Sequence, residues 1–137
     1  MFIFKLYPVN SKNDLYPMFP IMTKQIEIAK AFSNGEFENV YDSITENATW
    51  TVIEQDVFNG KQAILANCEQ IANYFKSITT DFKILNVIAD GNKIVINGTA
   101  EFIRDRKRVS FVSACDIYEF NDRCQIEKIT SYCIESK

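Results

Sequence analysis

The chain has 137 residues, 47% of them hydrophobic and 24% charged, so it can build one core without a metal, cofactor or disulfide. The net charge of −3 disfavours nucleic acid as a partner, because binding phosphates requires clustered cations. The absence of histidine excludes Ser-His and Cys-His nucleophilic mechanisms and leaves carboxylates, tyrosine, lysine and cysteine as acids or bases.

The first 21 residues are predicted to be a loosely attached extension of a domain that covers residues 22–137. Their apolar start is interrupted by Lys5 and is too short to span a membrane or to form a signal peptide, so no membrane partner is expected. Prolines at positions 17 and 20 indicate a loop. The four cysteines form no C-x-x-C pair and there is no histidine, which predicts no metal site. Without a signal sequence a cytoplasmic location is expected, where the cysteines would be free thiols.

Helical spacing of apolar residues predicts a first helix from Thr23 to a glycine stop at Gly35, and a short second helix over 36–45. Residues 48–54 are rich in β-branched and aromatic side chains, which favours a strand, and a brief extended piece follows near Phe58. Further predicted elements are a third helix over 61–77 and strands over 82–89, 93–103, 109–120 and 125–134.

This order, ααββαββββ, predicts an α+β fold in which a curved antiparallel sheet wraps round three helices. Turn signals separate the last four strands, at residues 90–92, 104–108 and 121–123. These turns favour an antiparallel meander. The cations at 104–108 are interrupted by an aspartate, which is more typical of a solvated hairpin tip than of a phosphate-binding surface.

Three stretches resemble the SnoaL-like branch of the nuclear transport factor 2-like superfamily, which also contains ketosteroid isomerases. They are residues 31–37 at the helical hairpin, 58–64 entering the third helix, and 115–120 in the last hairpin. The resemblance covers about residues 22–135 and implies a cone-shaped fold whose sheet and helices enclose a cavity.

The resemblance also locates the positions of the isomerase catalytic groups. An alignment without gaps from Gly35 places the family's base at Val52 and its helix-one tyrosine at Ile28, and neither residue can perform that chemistry. The family's neutral aspartic acid matches Asp116. The chain is therefore not expected to be a true ketosteroid isomerase, although Val52 and Ile28 remain candidate ligand contacts.

Two carboxylates are the candidate catalytic groups. Asp116 alternates with apolar residues on one predicted strand, so burial should raise its pKa and make it a hydrogen-bond donor or a strong base. The alternative is that Asp116 only accepts structural hydrogen bonds. Glu54 lies two residues beyond Val52 and would be the substitute base, or a solvated residue at the end of a strand.

Four further residues are candidate ligand contacts. Trp50 shares the predicted face of Val52, and Tyr41 lies on the helical hairpin; both could stack against a flat apolar ligand or simply pack in the core. Tyr118 could donate a hydrogen bond to a ligand or to Asp116. Ser131 is placed in the cavity by the family resemblance. Cys115 and Cys133 are expected to be ordinary cysteines because no cation adjoins them.

Two functions follow from the sequence. The first is binding of a small, largely apolar molecule in the cone without a cofactor; if the domain is an enzyme, it would be an isomerase, cyclase, lyase or hydrolase that uses a carboxylate. The second is a non-catalytic homodimeric interaction module, paired through the outer face of the sheet, whose cavity is filled by its own phenylalanines. Four of the eleven phenylalanines could fill it: Phe32, Phe75, Phe102 and Phe120.

Overall fold

Two α-helices and a 3₁₀ helix pack on a six-stranded sheet in the computed structural model, which describes residues 18–136. In chain order the elements are α1 (Met18–Ser33), the 3₁₀ helix (Phe37–Ser43), β1 (Ile44–Val52), β2 (Asp56–Asn59), α2 (Lys61–Lys76), β3 (Thr79–Asp90), β4 (Lys93–Arg104), β5 (Lys107–Phe120) and β6 (Ile126–Glu135). The predicted order of helices and strands is confirmed, with a 3₁₀ helix as the second helix.

The sheet is curved and open, with strand order β2-β1-β6-β5-β4-β3. The last four strands form the predicted antiparallel meander. The prediction of a wholly antiparallel sheet is corrected at β1, which pairs with β6 in parallel, Trp50 opposite Ile129 and Val52 opposite Ser131. Turn residues indicate only that two strands consecutive in the chain run antiparallel. A parallel pair needs a long connection instead, which here consists of all the residues between β1 and β6.

Helix α1 begins at Met18, four residues inside the segment assigned to the extension. Pro20 lies in its first turn, where proline is tolerated because the backbone N–H groups of that turn have no helical partner. The remainder of the predicted extension, residues 1–17, lies outside the described residues.

Helix α1 ends in a Schellman motif centred on Gly35, as the glycine stop predicted. The Glu36 N–H donates to the Ala31 carbonyl at 2.9 Å and the Gly35 N–H donates to the Phe32 carbonyl at 3.0 Å. Gly35 has a φ of +80°, which glycine adopts without steric cost. A Cβ at this position would lie 2.5 Å from the Phe75 ring of α2, so the two helices meet closely here.

The core lies between the helices and the inner face of the sheet. Phe32 is at its centre, in edge contact with Phe37, Trp50 and Tyr118 at ring-centroid distances of 5.2, 5.1 and 5.8 Å. The inner face of the sheet adds fully buried isoleucines, including Ile94, Ile96, Ile126 and Ile129. No helix within residues 18–136 is long and apolar enough to cross a membrane.

Candidate functional site

A cavity of about 520 Å³ opens between α2, the end of α1 and the inner face of the sheet. Its aromatic lining consists of Phe32, Phe37, Trp50, Tyr74, Phe75, Phe82 and Phe102. Smaller apolar side chains from the sheet complete the walls: Val52, Ala100, Val112 and Ala114. Phe32, Phe75 and Phe102 therefore line the cavity, whereas Phe120 is buried in the core and is not among the lining residues.

Asp116 lies in this largely apolar lining. It lies on β5, opposite Ile96 of β4 on one side and Ser131 of β6 on the other. Strand alternation places Val112 and Ala114 on the same face, as predicted. The carboxylate Oδ2 accepts a hydrogen bond of 2.7 Å from the hydroxyl of Ser33, the last residue of α1.

Two hydrogen-bonded arms converge on Asp116, and together they form what we call the Asp116 cluster (Asp116, Ser33, Tyr118, Ser131 and Trp50). In the first arm the Tyr118 hydroxyl lies 2.6 Å from the Ser33 hydroxyl, which contacts Asp116. In the second arm the Trp50 indole N–H donates to Ser131 Oγ at 2.9 Å, and Ser131 faces Asp116 across the strand pair.

The charge state of Asp116 depends on two opposing effects. Burial raises the pKa of the Asp116 carboxyl above its ordinary value. The hydrogen-bonding hydroxyls of the cluster, those of Ser131, Ser33 and Tyr118, partly oppose that rise. Tyr118 is fully buried, and its pKa is raised well above the ordinary value by burial and then by the charge of Asp116, so its hydroxyl keeps its proton. Asp116 is thus a more basic carboxylate than an exposed one.

The helix end supplies the residue that completes the cluster. Because the Schellman motif stops α1 directly after Ser33, this serine lies at the cavity instead of continuing along a helical surface. Nothing in the local sequence distinguished Ser33 from an ordinary residue at the end of a helix. Its partners are 83 and 85 residues further along the chain, so only the folded structure brings them together.

Four of the predicted site residues line the cavity, namely Asp116, Trp50, Val52 and Ser131. Tyr118 is fully buried behind this lining and reaches it through Ser33. Trp50 and Ser131 are also buried, at 7% and 2% exposure, and the hydrogen bond from the indole N–H to Ser131 Oγ joins their side chains.

Three predicted residues lie outside the lining. Glu54 is exposed in the turn after β1, with a φ of 61°, because the strand ends at Val52 and its alternation does not extend further. Its neighbour Gln55 lines the cavity instead. Ile28 is buried in the core, and Tyr41 lies on the 3₁₀ helix away from the cavity.

Further polar groups in the lining were not singled out from the sequence. Four carboxamides contribute, from Asn34, Gln55, Asn67 and Gln70, and all but Asn67 are exposed residues. Glu135, near the end of β6, is the second carboxylate. The only signal that could have located Glu135 is its alternation with Ser131 and Cys133 along the strand.

Cys68, Cys115 and Cys133 remain protonated thiols rather than nucleophiles. Cys133 lines the cavity, and burial followed by the charge of Asp116 raises its pKa. The pKa of Cys115 is raised in the same way, and burial raises that of Cys68 to about 12. Within residues 18–136 no three metal-ligating side chains come together, so the described residues offer no metal centre.

The architecture and the site define a cone-shaped α+β domain with an internal cavity of the nuclear transport factor 2-like type. The family model for the SnoaL-like domain matches residues 26–131. The chain belongs to this SnoaL-like family. None of the curated proteins compared with it matches.

Solved structures agree with this assignment. An NTF2-like protein of unknown function from Cytophaga hutchinsonii is 35% identical, with a TM-score of 0.75 over 83% of this chain and 99% of the other. An LEH-like epoxide hydrolase from M. tuberculosis is 18% identical, with a TM-score of 0.64 over 82% and 84% of the two chains. A protein from Jannaschia sp. assigned to the SnoaL-like polyketide cyclases is 16% identical, with a TM-score of 0.65 over 83% and 88%. The last two share the fold with this chain.

Proposed function

We propose that this domain binds a small, largely apolar molecule in the cavity and that Asp116 accepts a proton or a hydrogen bond from it. The observation that carries this proposal is a half-buried carboxylate with a raised pKa, in an apolar lining that contains no lysine or arginine. Buried charges are costly and are normally paired, so an unpaired one facing a cavity is characteristic of a functional group.

The dimensions of the cavity support a ligand rather than a packing defect. A volume of about 520 Å³ falls within the range of small-molecule sites, roughly 300 to 1,000 Å³. Apolar walls with a few convergent polar groups are the usual composition of such sites. Three of the four phenylalanines that could have filled the cavity, Phe32, Phe75 and Phe102, lie in its walls instead.

The chemistry available at the Asp116 cluster is proton transfer. A carboxylate with a raised pKa holds a proton more strongly than an exposed one, so it is the better general base. A cofactor-independent isomerase, cyclase, lyase or hydrolase can use such a group as its general base. Two proteins of the same fold, named as an epoxide hydrolase and as a polyketide cyclase, support a small-molecule substrate.

Binding of tetralin, a bicyclic hydrocarbon, tests the cavity without any assumption about the polar group of the natural ligand. We expect calorimetry to detect binding to the unmodified protein and a loss of at least tenfold in affinity in Ala114→Phe, whose ring would occupy the cavity. The control is Ala66→Phe, the same change at an exposed position on α2. Thermal unfolding of both variants verifies that they fold. Failure of tetralin to bind, or equal binding to Ala114→Phe, would contradict the proposal.

We also propose that the outer face of the sheet pairs with a second copy of the chain. Strand alternation directs Val57, Tyr132 and Ile134 away from the cavity, and they are 51%, 46% and 70% exposed. The neighbouring outward residues include Val95, Thr99, Ile103, Phe111 and Ile117, which are half-buried. A sheet face with several exposed apolar side chains is typical of an interface.

A further inference from the structure

We propose that the cavity selects molecules whose polar group donates a hydrogen bond, namely alcohols and amines, and discriminates against ketones, carboxylates and phosphates. This inference rests on the proposed function, since it specifies the ligand class of the same cavity. It follows from the direction of the hydrogen bonds in the Asp116 cluster and from the charges in the lining.

The Trp50 arm has a fixed direction. An indole N–H can only donate, so at 2.9 Å from Trp50 Nε1 the Ser131 oxygen must be the acceptor. The hydrogen of the Ser131 hydroxyl is then left for another acceptor, and Asp116 faces it across the strand pair. Ser131 therefore donates towards Asp116.

The Ser33 arm has the same direction. The hydroxyl of Ser33 donates to Asp116 Oδ2 at 2.7 Å, the direction that an ionised carboxylate requires. Because Ser33 has used its only hydrogen, the Tyr118 hydroxyl, 2.6 Å away, must donate to Ser33. Both arms thus point their hydrogens at Asp116.

The cluster consequently offers a ligand acceptors rather than donors. The hydrogens of Trp50, Ser131, Tyr118 and Ser33 are all engaged, whereas a carboxylate has about four lone-pair sites and retains some after two serine bonds. A hydroxyl or an ammonium group can use those sites. A carbonyl oxygen brought to the same place would face Asp116 with no hydrogen between them, which is repulsive.

The other polar groups do not reverse this preference. The carboxamides of Asn34, Gln55, Asn67 and Gln70 and the hydroxyls of Tyr74 and Thr80 both donate and accept, so they favour neither kind of ligand. The charged lining residues among the described part of the chain are Asp116 and Glu135, both acidic. A carboxylate or phosphate would therefore meet like charge in a site of low dielectric.

A matched series on one skeleton tests the inference: tetralin bearing a hydroxyl, an amine, a ketone or a carboxylate at the same ring carbon, together with the parent hydrocarbon. At neutral pH we expect the alcohol and the amine to bind the unmodified protein roughly tenfold or more tightly than the ketone, because hydrogen bonds to charged groups are among the stronger ones. The carboxylate should bind most weakly.

Asp116→Asn should abolish the preference, because an amide can donate as well as accept. Asp42→Asn, the same change at an exposed position on the 3₁₀ helix, should retain it. If the unmodified protein binds the ketone or the carboxylate as tightly as the alcohol, this inference is wrong while the proposed function stands. That result does not depend on whether any variant folds. If neither the hydrocarbon nor any derivative binds, the proposed function fails and this inference fails with it.

Discussion

At the scale of single residues, the site depends on how one carboxylate is held in an apolar environment. Desolvation raises the pKa of Asp116, and the hydroxyls around it lower that pKa. The serines of the two arms also fix the orientation of the carboxylate, with Ser33 at 2.7 Å. A base oriented in this way needs no further protein group to position it towards the cavity.

The raised pKa predicts how Asp116 affects stability. Between the ordinary aspartate pKa of about 3.9 and the higher pKa in the folded state, the folded protein binds a proton that the unfolded chain has released. The free energy of unfolding should therefore fall as pH rises through this window and then stay lower. Asp116→Asn should lack this pH-dependent loss of stability. The free energy of unfolding of the variant minus that of the unmodified protein should therefore increase as pH rises.

Urea unfolding across a pH series measures this difference, because all other titrating groups contribute to both proteins alike. Asp42→Asn is the matched control and should follow the unmodified protein, since Asp42 is exposed. A stability difference for Asp116→Asn that is constant with pH, or that shrinks as pH rises, would show that burial does not raise the pKa of Asp116.

Residue-level prediction from sequence succeeded where alternation alone decides the outcome. Asp116, Trp50 and Val52 all lie on strands, and the two-residue period correctly grouped each with its neighbours on the inner face. Glu54 was grouped with Val52 by the same rule, but the strand ends before it. Ser33 had no local signal, because its role arises from contacts with β5.

At the scale of elements, the junction of α1 with the 3₁₀ helix positions Ser33. Gly35→Ala should cost about 1 to 3 kcal/mol of unfolding free energy, through both a left-handed backbone and a Cβ 2.5 Å from the Phe75 ring. Gly91→Ala is the matched comparison, because its φ is +59° with no atom within 4 Å of the new Cβ. It should cost only the backbone strain, about 1 kcal/mol.

Chemical denaturation of the two glycine variants separates the two effects. If Gly35→Ala is no more destabilising than Gly91→Ala, the contact with Phe75 does not restrain the helix end. A larger loss in Gly35→Ala accompanied by weaker tetralin binding would connect this junction to the cavity, since both Gly35 and Phe75 line it.

The order of the elements was predictable because each has its own local signal, such as helical spacing, β-branched runs and turn residues. The start of α1 was missed because Pro20 resembles a helix breaker, although the first turn accepts it. The parallel pairing of β1 with β6 was missed for a different reason. It joins strands that are distant in sequence, and no turn between them indicates their direction.

At the scale of the whole molecule, the two faces of the sheet have different surroundings. The inner face borders the core and the cavity, whereas the outer face carries the exposed side chains of Tyr132 and Ile134. We expect sedimentation velocity to detect a dimer, and Ile134→Asp to shift it to monomer by placing a charge at the interface. Asp42→Lys, at an exposed position on the 3₁₀ helix rather than on the sheet, should remain dimeric. A monomeric unmodified protein would contradict the pairing of outer faces.

The most direct test of the account is an NMR pH titration of the Asp116 side-chain carboxyl carbon, free and saturated with the tetralin alcohol. We predict that in the free protein Asp116 titrates above the ordinary aspartate value of about 3.9, because of its burial. The bound alcohol should lower that pKa, because a donated hydrogen bond stabilises the charged form. A titration at the ordinary value that the alcohol leaves unchanged would contradict the claim that Asp116 is the buried acceptor of a ligand cavity.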